Sequence, residues 1–231
     1  MIIASIGSNC EVGLMINKFY DNQIYSHLFN WTNIKIDKLC LILDNIHILS
    51  NLNNYKFIIR LFEGELYKLT INTLDSLSII DLQKYTKINI DFEFYYNNEL
   101  YFWSHGLSFV NNDFNIQNYN TYILEIQSKI EHLVKKTLYL FSSNEETFIY
   151  LKALKNEYTK QDFINLYSSI IKDNIHLGII FEKNDDYNSN DYQLELKNTK
   201  LLGVDQLTPH KNAIDYVKYN TEPLYKILFN L

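Results

Sequence analysis

The sequence predicts an α/β fold: a mainly parallel central sheet flanked by helices, with a β-rich insertion in the middle. Three observations predict it. A short buried strand turns directly into a helix near the start of the chain, and strand and helix patterns alternate again toward its end. Between them lie segments rich in aromatic and β-branched residues at near period two. No internal repeat and no linker divides the chain, so 1–231 reads as a single α/β domain.

Ile2 to Ile6 is an unbroken apolar run ended by Gly7, the pattern of a short buried strand. Ser8-Asn9-Cys10-Glu11 then fits the S-x-x-E capping box, with Ser8 as N-cap and Glu11 reaching back from the third helical position. Val12, Met15, Ile16 and Phe19 supply that helix with a core face. A second helix is predicted over Ile36 to Ile48, with Leu39, Leu43 and Ile46 as its stripe. Lys56 to Leu61, Glu65 to Ile71, Ile88 to Phe94 and Leu100 to Trp103 read as strands. Tyr119, Tyr122, Ile123, Ile126, Ile130 and Leu133 form a helical stripe, after which Thr137 to Phe141 reads as a strand. Ser143-Asn144-Glu145-Glu146 fits a second capping box, opening a helix through Leu154. Asp162 to Ile171 is a predicted helix, His176 to Phe181 a buried strand, and Asn184 to Asp191 a polar loop.

Composition narrows the function classes. With 47% apolar and 21% charged residues the chain buries a real core, so disordered, collagen-like and disulfide-scaffold classes are excluded. The net charge is −6 and Arg60 is the only arginine, which argues against a nucleic-acid partner. Abundant Asn, Ile, Tyr and Lys with scarce Ala, Arg and Pro follow from AT-rich codons and point to a low-GC bacterium or a large AT-rich virus as source. The N-terminus lacks the basic region of a secretory signal. No stretch reaches the ~18 apolar residues of a membrane span. The best run, Leu39 to Leu49, is broken by Asp44, Asn45 and His47. The expectation is a cytoplasmic protein without a membrane span, its Cys10 and Cys40 kept as thiols. Oligomeric state is not legible. Neither a phosphate loop nor a dinucleotide fingerprint occurs, the histidines never pair at i, i+4, and there is no C-x-x-C. No cofactor and no metal are expected.

Cys10 stands at the start of a predicted helix, directly after a buried strand. Free N–H groups and the positive end of the helix dipole favour a thiolate there. The same groups can hydrogen-bond an oxyanion forming on a carbonyl. Glu11 opposes the thiolate, because a neighbouring carboxylate disfavours a second negative charge. The plain alternative is a cysteine packed as a small hydrophobe. That is the reading for Cys40, which sits mid-helix between Leu39 and Leu41.

Ser5-Ile6-Gly7-Ser8-Asn9-Cys10-Glu11-Val12 resembles the opening S-[LI]-G-x-x-C motif of a papain-like cysteine peptidase family, a domain family of unknown function in bacteria and large viruses. Ser26-His27-Leu28-Phe29-Asn30-Trp31 is similar to its S-x-P-F-D-W, and Gly106 to Phe114 to its G-x-x-F-x-H-D-F. The resemblance covers roughly residues 1 to 155. It implies Cys10 as nucleophile and, as the alternative to the flanked parallel sheet, a papain-like α+β arrangement. This chain has Leu28 where the family has proline, Asn30 where it has aspartate, and Asn112 where it has histidine, while Asp113 remains.

A papain-type site needs an imidazole to take the thiol proton and protonate the leaving group. With Asn112 at the expected position, His105 is the best substitute and His27 the next. His132, His47, His176 and His210 read as surface or structural. The candidate catalytic residues are therefore Cys10, His105 and Asp113. The candidate substrate-binding residues are Ser8, Asn9, Glu11, His27, Asn30, Trp31 and Asn112. Three functions remain open. One is a cysteine-dependent hydrolase, peptidase or acyl transferase, acting on a peptide or acyl substrate. The second is an enzyme of surface-glycan biosynthesis or modification, which the resemblance implies because such relatives often neighbour glycosyltransferases. The third is a degenerate, non-catalytic binding module.

Overall fold

The computed structural model describes residues 1–7, 11–20, 24–64, 66–72, 76, 81–110, 113–153, 158–170, 172–182, 198–204 and 226. In chain order the elements are β1 (Ile2–Gly7), α1 (Glu11–Phe19), β2 (Asn33–Ile34), α2 (Ile36–Asp44), β3 (Tyr55–Glu63), β4 (Leu66–Ile71), β5 (Lys87–Tyr96) and β6 (Glu99–Val110). They continue with α3 (Tyr119–Ser142), β7 (Thr147–Ala153), α4 (Lys160–Ile170), β8 (Ile175–Glu182) and β9 (Thr199–Val204). The result is a mixed α/β fold with a four-stranded parallel sheet, an antiparallel sheet and helices. Where the sequence reading takes 1–231 as one domain, the backbone gathers into two compact units. One is Met1–Ile46 with Lys135–Leu231, the other His47–Val134. The predicted β-rich insertion lies within the second.

In the first unit the parallel sheet has the order β1-β7-β8-β9. Strands β1, β7 and β8 are mostly buried apolar runs, the pattern of a parallel sheet covered on both faces. Ile3 faces one side, where it packs with Val12, Met15 and Ile16 of α1 and with Tyr150 and Ile180. Ile2 and Ala4 face the other, against Leu140 of α3. Helix α4 opens on a reciprocal cap. The Asp162 carboxylate accepts from the Thr159 N–H at 2.6 Å, and the Thr159 hydroxyl oxygen accepts from the Asp162 N–H at 3.3 Å.

Three expectations are corrected here. Thr137 to Phe141 is not a strand but the end of α3, because Ile126, Ile130, Val134, Thr137 and Leu140 continue one buried stripe at steps of three and four. Ser143 to Leu154 is not a capped helix. Ser143 accepts from the Glu145 N–H in a short turn, and Thr147 to Ala153 then enters the sheet as β7. Its β-branched and aromatic side chains suit a strand buried on both faces. The second helix stops at Asp44 with Asn45 as C-cap, and a 3-10 turn follows over Ile46–Ser50. The predicted loop from Asn184 to Asp191 lies outside the described residues.

In the second unit four antiparallel strands lie in the order β6-β5-β3-β4. Asn97 and Asn98, with φ of 50° and 64°, turn β5 into β6 in the left-handed conformations that a two-residue hairpin needs. Alternation divides β5 into two faces. Ile88, Ile90, Phe92 and Phe94 form a buried apolar set, while Asn89, Asp91 and Glu93 face the other way. Directly paired residues share a face. Arg60 pairs with Asn89 and Thr70, Asp91 with His105, and Glu93 with Trp103, so one side of this sheet is polar. Strand β6 also runs well beyond the predicted Leu100 to Trp103.

Among the described residues no helix is long and apolar enough to cross a membrane. Nor does any group of three His, Cys, Asp or Glu gather there as a metal site would require.

Candidate functional site

The polar face of the antiparallel sheet holds a cleft of about 380 Å3, lined by Arg60, Phe62, Tyr67, Thr70, Trp103 and His105. Its position follows from a break in register. Ile90 pairs with Leu107 but Asp91 pairs with His105, leaving Gly106 as the extra residue of a β-bulge. The bulge requires glycine: a Cβ at Gly106 would lie 2.3 Å from the Ile90 carbonyl oxygen and 2.9 Å from Ile126 Cδ1. Lys129 of α3 holds the bulge from outside, its ammonium donating to the carbonyls of Gly106 at 3.1 Å and His105 at 3.5 Å. Burial pushes the Lys129 pKa down, against the pull of Asp91 and Glu125.

The bulge brings an imidazole over a sealed carboxylate. His105 Nδ1 lies 3.1 Å from Asp91 Oδ1; the His105 side chain is 60% exposed and that of Asp91 0%. Ionised Asp91 can only accept, so Nδ1 carries the proton and Nε2 keeps a lone pair. Nε2 has no hydrogen-bond partner among the described residues. The other carboxylate oxygen, Oδ2, is buried without a hydrogen bond and lies 3.4 Å from Arg60 Nη1 in an ion pair. The Arg60 guanidinium in turn lies over the Trp103 ring, 4.3 Å from its centroid. Trp103 meets His105 edge to face at 5.1 Å. Across the cleft the Tyr67 and Thr70 hydroxyls share a hydrogen bond.

Of the described residues nominated from the sequence, only His105 lines this cleft. Cys10, Ser8, Asn9 and Asn112 lie outside the described residues. Glu11 is the first residue of α1, and Trp31 ends the 3-10 turn Leu28–Trp31. Asp113 is exposed, and the carboxylate that serves His105 is Asp91. His27 is buried, and both ring nitrogens are engaged by backbone. Nε2 donates to the Ser5 carbonyl at 3.0 Å, and Nδ1 accepts from the Phe29 N–H at 3.4 Å. Burial lowers its pKa to about 3. Asn30 is buried beside it, donating to the Tyr25 carbonyl at 2.8 Å. This turn is thus built as structure, with no ring nitrogen of His27 left for a ligand.

Cys40 is buried as expected, its Sγ 3.9 Å from the Asp162 carbonyl. Burial pushes its thiol up to about 12, with Asp162, Asp44 and Asp37 adding to the effect. It belongs to a second groove of about 430 Å3 lined by Asp37, Asp44, Asp162 and Ser169 among others. That groove is larger than the cleft, and two of its three carboxylates are engaged within the fold. Asp162 caps α4, and the Ser169 hydroxyl donates to Asp44 at 2.8 Å.

The sequence reading missed Asp91, Arg60 and Trp103 as site residues. One signal was present: Ile88-Asn89-Ile90-Asp91-Phe92-Glu93-Phe94 alternates apolar and polar, and so places Asp91 on a polar sheet face. The partner on β6 depended on the bulge, whose one local signal is Gly106 within a strand pattern. No family model, curated protein or solved structure matches the chain.

Proposed function

We propose that the antiparallel unit carries a hydrolytic centre in which His105, directed by Asp91, acts as general base on an ester or amide bound in the cleft. The observation behind this reading is the 3.1 Å contact between an exposed imidazole and a fully buried carboxylate. Asp91 accepts the Nδ1–H bond, fixes the tautomer and stabilises the imidazolium that forms. Nε2 takes a proton from water as the water oxygen bonds to the carbonyl carbon. The same proton then passes to the leaving oxygen or nitrogen as its bond to that carbon breaks. Free N–H groups of Arg60 face the charge that develops on the carbonyl oxygen. Trp103, Phe62 and Tyr67 give the substrate apolar surface to bind.

A second reading follows the resemblance: a papain-like peptidase or acyl transferase with Cys10 as nucleophile. One observation favours it, for β1 ends at Gly7 and α1 begins at Glu11, the strand-then-helix order that the sequence reading around Cys10 expects. Hydrolysis of p-nitrophenyl acetate by the wild type and by His105→Ala, Asp91→Asn and Cys10→Ala separates the two. A loss of ~100-fold in the first two variants, with Cys10→Ala unchanged, is expected for a general base. Turnover lost only in Cys10→Ala transfers the function to the thiol. Equal rates in all four proteins overturn both and leave a binding module or a glycan-related role.

A further inference from the structure

Arg60 is the only arginine among 21 basic residues of this chain, and it stands in the cleft. Lysine would supply the same charge; what arginine adds is a planar fork of five N–H donors. The fork is held in place from two sides. Trp103 lies 4.3 Å below it, which fixes its plane, and Asp91 lies 3.4 Å from Nη1, which fixes its rotation. Asp91 and Trp103 are its only partners among the described residues, so the remaining N–H groups are unspent. Asp91 Oδ2 is itself closed to solvent and unpartnered by any hydrogen bond, so it anchors Arg60 and does not compete for ligand.

The surrounding charge has the same sense. Lys87 lies over the ring of Phe62, a cleft wall, at 5.5 Å. Nearby Glu63 is already paired with Lys68 at 3.3 Å. Asp91 is faced by Arg60 and His105 and also acts on Lys129, Glu93 on the same face accepts from the Tyr95 hydroxyl at 2.9 Å, and Lys87 adds a positive charge at the Phe62 wall. Phe62 and Tyr67, edge to face at 6.0 Å, form an apolar wall, and Tyr67 is exposed.

We infer that the cleft recognises a carboxylate, seated on the Arg60 guanidinium with its hydrocarbon body against Phe62 and Tyr67. Two parallel N–H···O bonds from a stacked, pre-oriented guanidinium match a planar carboxylate. This inference rests on the hydrolytic reading in one respect only: it names acidic acyl compounds as the substrate class of that same cleft.

Calorimetric titration of the whole protein with benzoate, benzyl alcohol and inorganic phosphate tests it. Benzoate binds, and benzyl alcohol, of similar shape but without charge, binds at least ~10-fold more weakly, as expected when a half-buried fork loses its charged partner. Arg60→Lys weakens benzoate by ~10-fold because the fork is lost while the charge stays. The benzoate to benzyl alcohol comparison is made on the wild type, so it stands even if Arg60→Lys does not fold. Equal binding of the two, or displacement of benzoate by equimolar phosphate, overturns the inference. Benzoate binding without any ester turnover supports it while removing the hydrolase. Turnover of neutral esters unaffected by benzoate removes it while the hydrolase stands.

Discussion

In the first unit the imidazole of His27 is sealed under β1, its two nitrogens spent on the Ser5 carbonyl and the Phe29 N–H. In the second, the imidazole of His105 stands on an open sheet face, with one nitrogen spent on Asp91 and the other free. Both were nominated from sequence as bases, and the chemistry of the side chain is the same. What separates them is the partner's ability to remain charged. A carbonyl and an amide settle a neutral ring in place, whereas a buried carboxylate both orients the ring and compensates the imidazolium that base catalysis must create. Burial reinforces the contrast, since charging His27 would remove solvation that nothing replaces.

Acid should break this comparison most forcefully. The folded pKa of His27 is about 3, below the ~6.5 of an unfolded chain. Between these values the unfolded chain binds a proton that the folded one refuses. The contribution of His27 is therefore complete above pH 6.5 and is lost as pH falls toward 3, the loss by then amounting to roughly 4–5 kcal/mol. Urea titrations from pH 7 to pH 4 should show a steeper stability loss in the wild type than in His27→Gln. His27→Ala at pH 7 should cost roughly 3–5 kcal/mol, from two unpaired backbone groups and a cavity. Parallel pH curves for wild type and His27→Gln would mean that the ring is not sealed.

The opposite pattern is expected at the other imidazole. His105→Ala should lower ester hydrolysis by ~100-fold or more, yet cost only about 1 kcal/mol of stability, because water can replace an exposed ring at Asp91. Asp91→Asn preserves shape and removes the charge, and should bring a similar loss of rate by favouring the wrong tautomer. A His105→Ala variant as unstable as His27→Ala would make the two sites alike and remove the case for function.

How far this contrast was legible in the sequence depends on the range of the interactions. Strands β1 and β8 and helix α4 were readable because apolar runs and 3.6-residue stripes are local. The stretch Thr137 to Phe141 was misread because its β-branched and aromatic residues imitate a strand, while the deciding fact, a stripe continuing from Ile126 and Ile130, lies a few turns upstream. Thr147 to Ala153 was misread because Ser143-Asn144-Glu145-Glu146 has capping spacing, and only pairing with β1 and β8 makes the next residues a strand. His105 was found because it is a histidine near a strand end. Asp91 was not, since its partnership crosses two strands through a bulge. Cys10 stood out most by motif, and it lies outside the described residues.

Gly106 connects sequence to site, and its replacement sharpens the comparison. Gly106→Ala drives a methyl group against the Ile90 carbonyl, which is backbone and cannot turn away. The expected cost is about 1–3 kcal/mol. Relief by flattening the bulge would also move His105 off Asp91, so hydrolysis should fall more than stability alone accounts for. Unchanged rate in a destabilised Gly106→Ala would mean that the bulge serves the fold and not the imidazole.

The smallest effect belongs to the first unit. The Thr137 hydroxyl oxygen accepts from the Leu28 N–H at 3.0 Å, securing the turn that carries His27. Thr137→Val keeps the volume but leaves that N–H unpaired, which should cost about 1–2 kcal/mol and leave ester turnover where it was. Urea denaturation and the hydrolysis assay on one preparation give both numbers. A variant that loses turnover along with stability would tie the His27 turn to catalysis, and the division of labour between the two histidines would have to be abandoned.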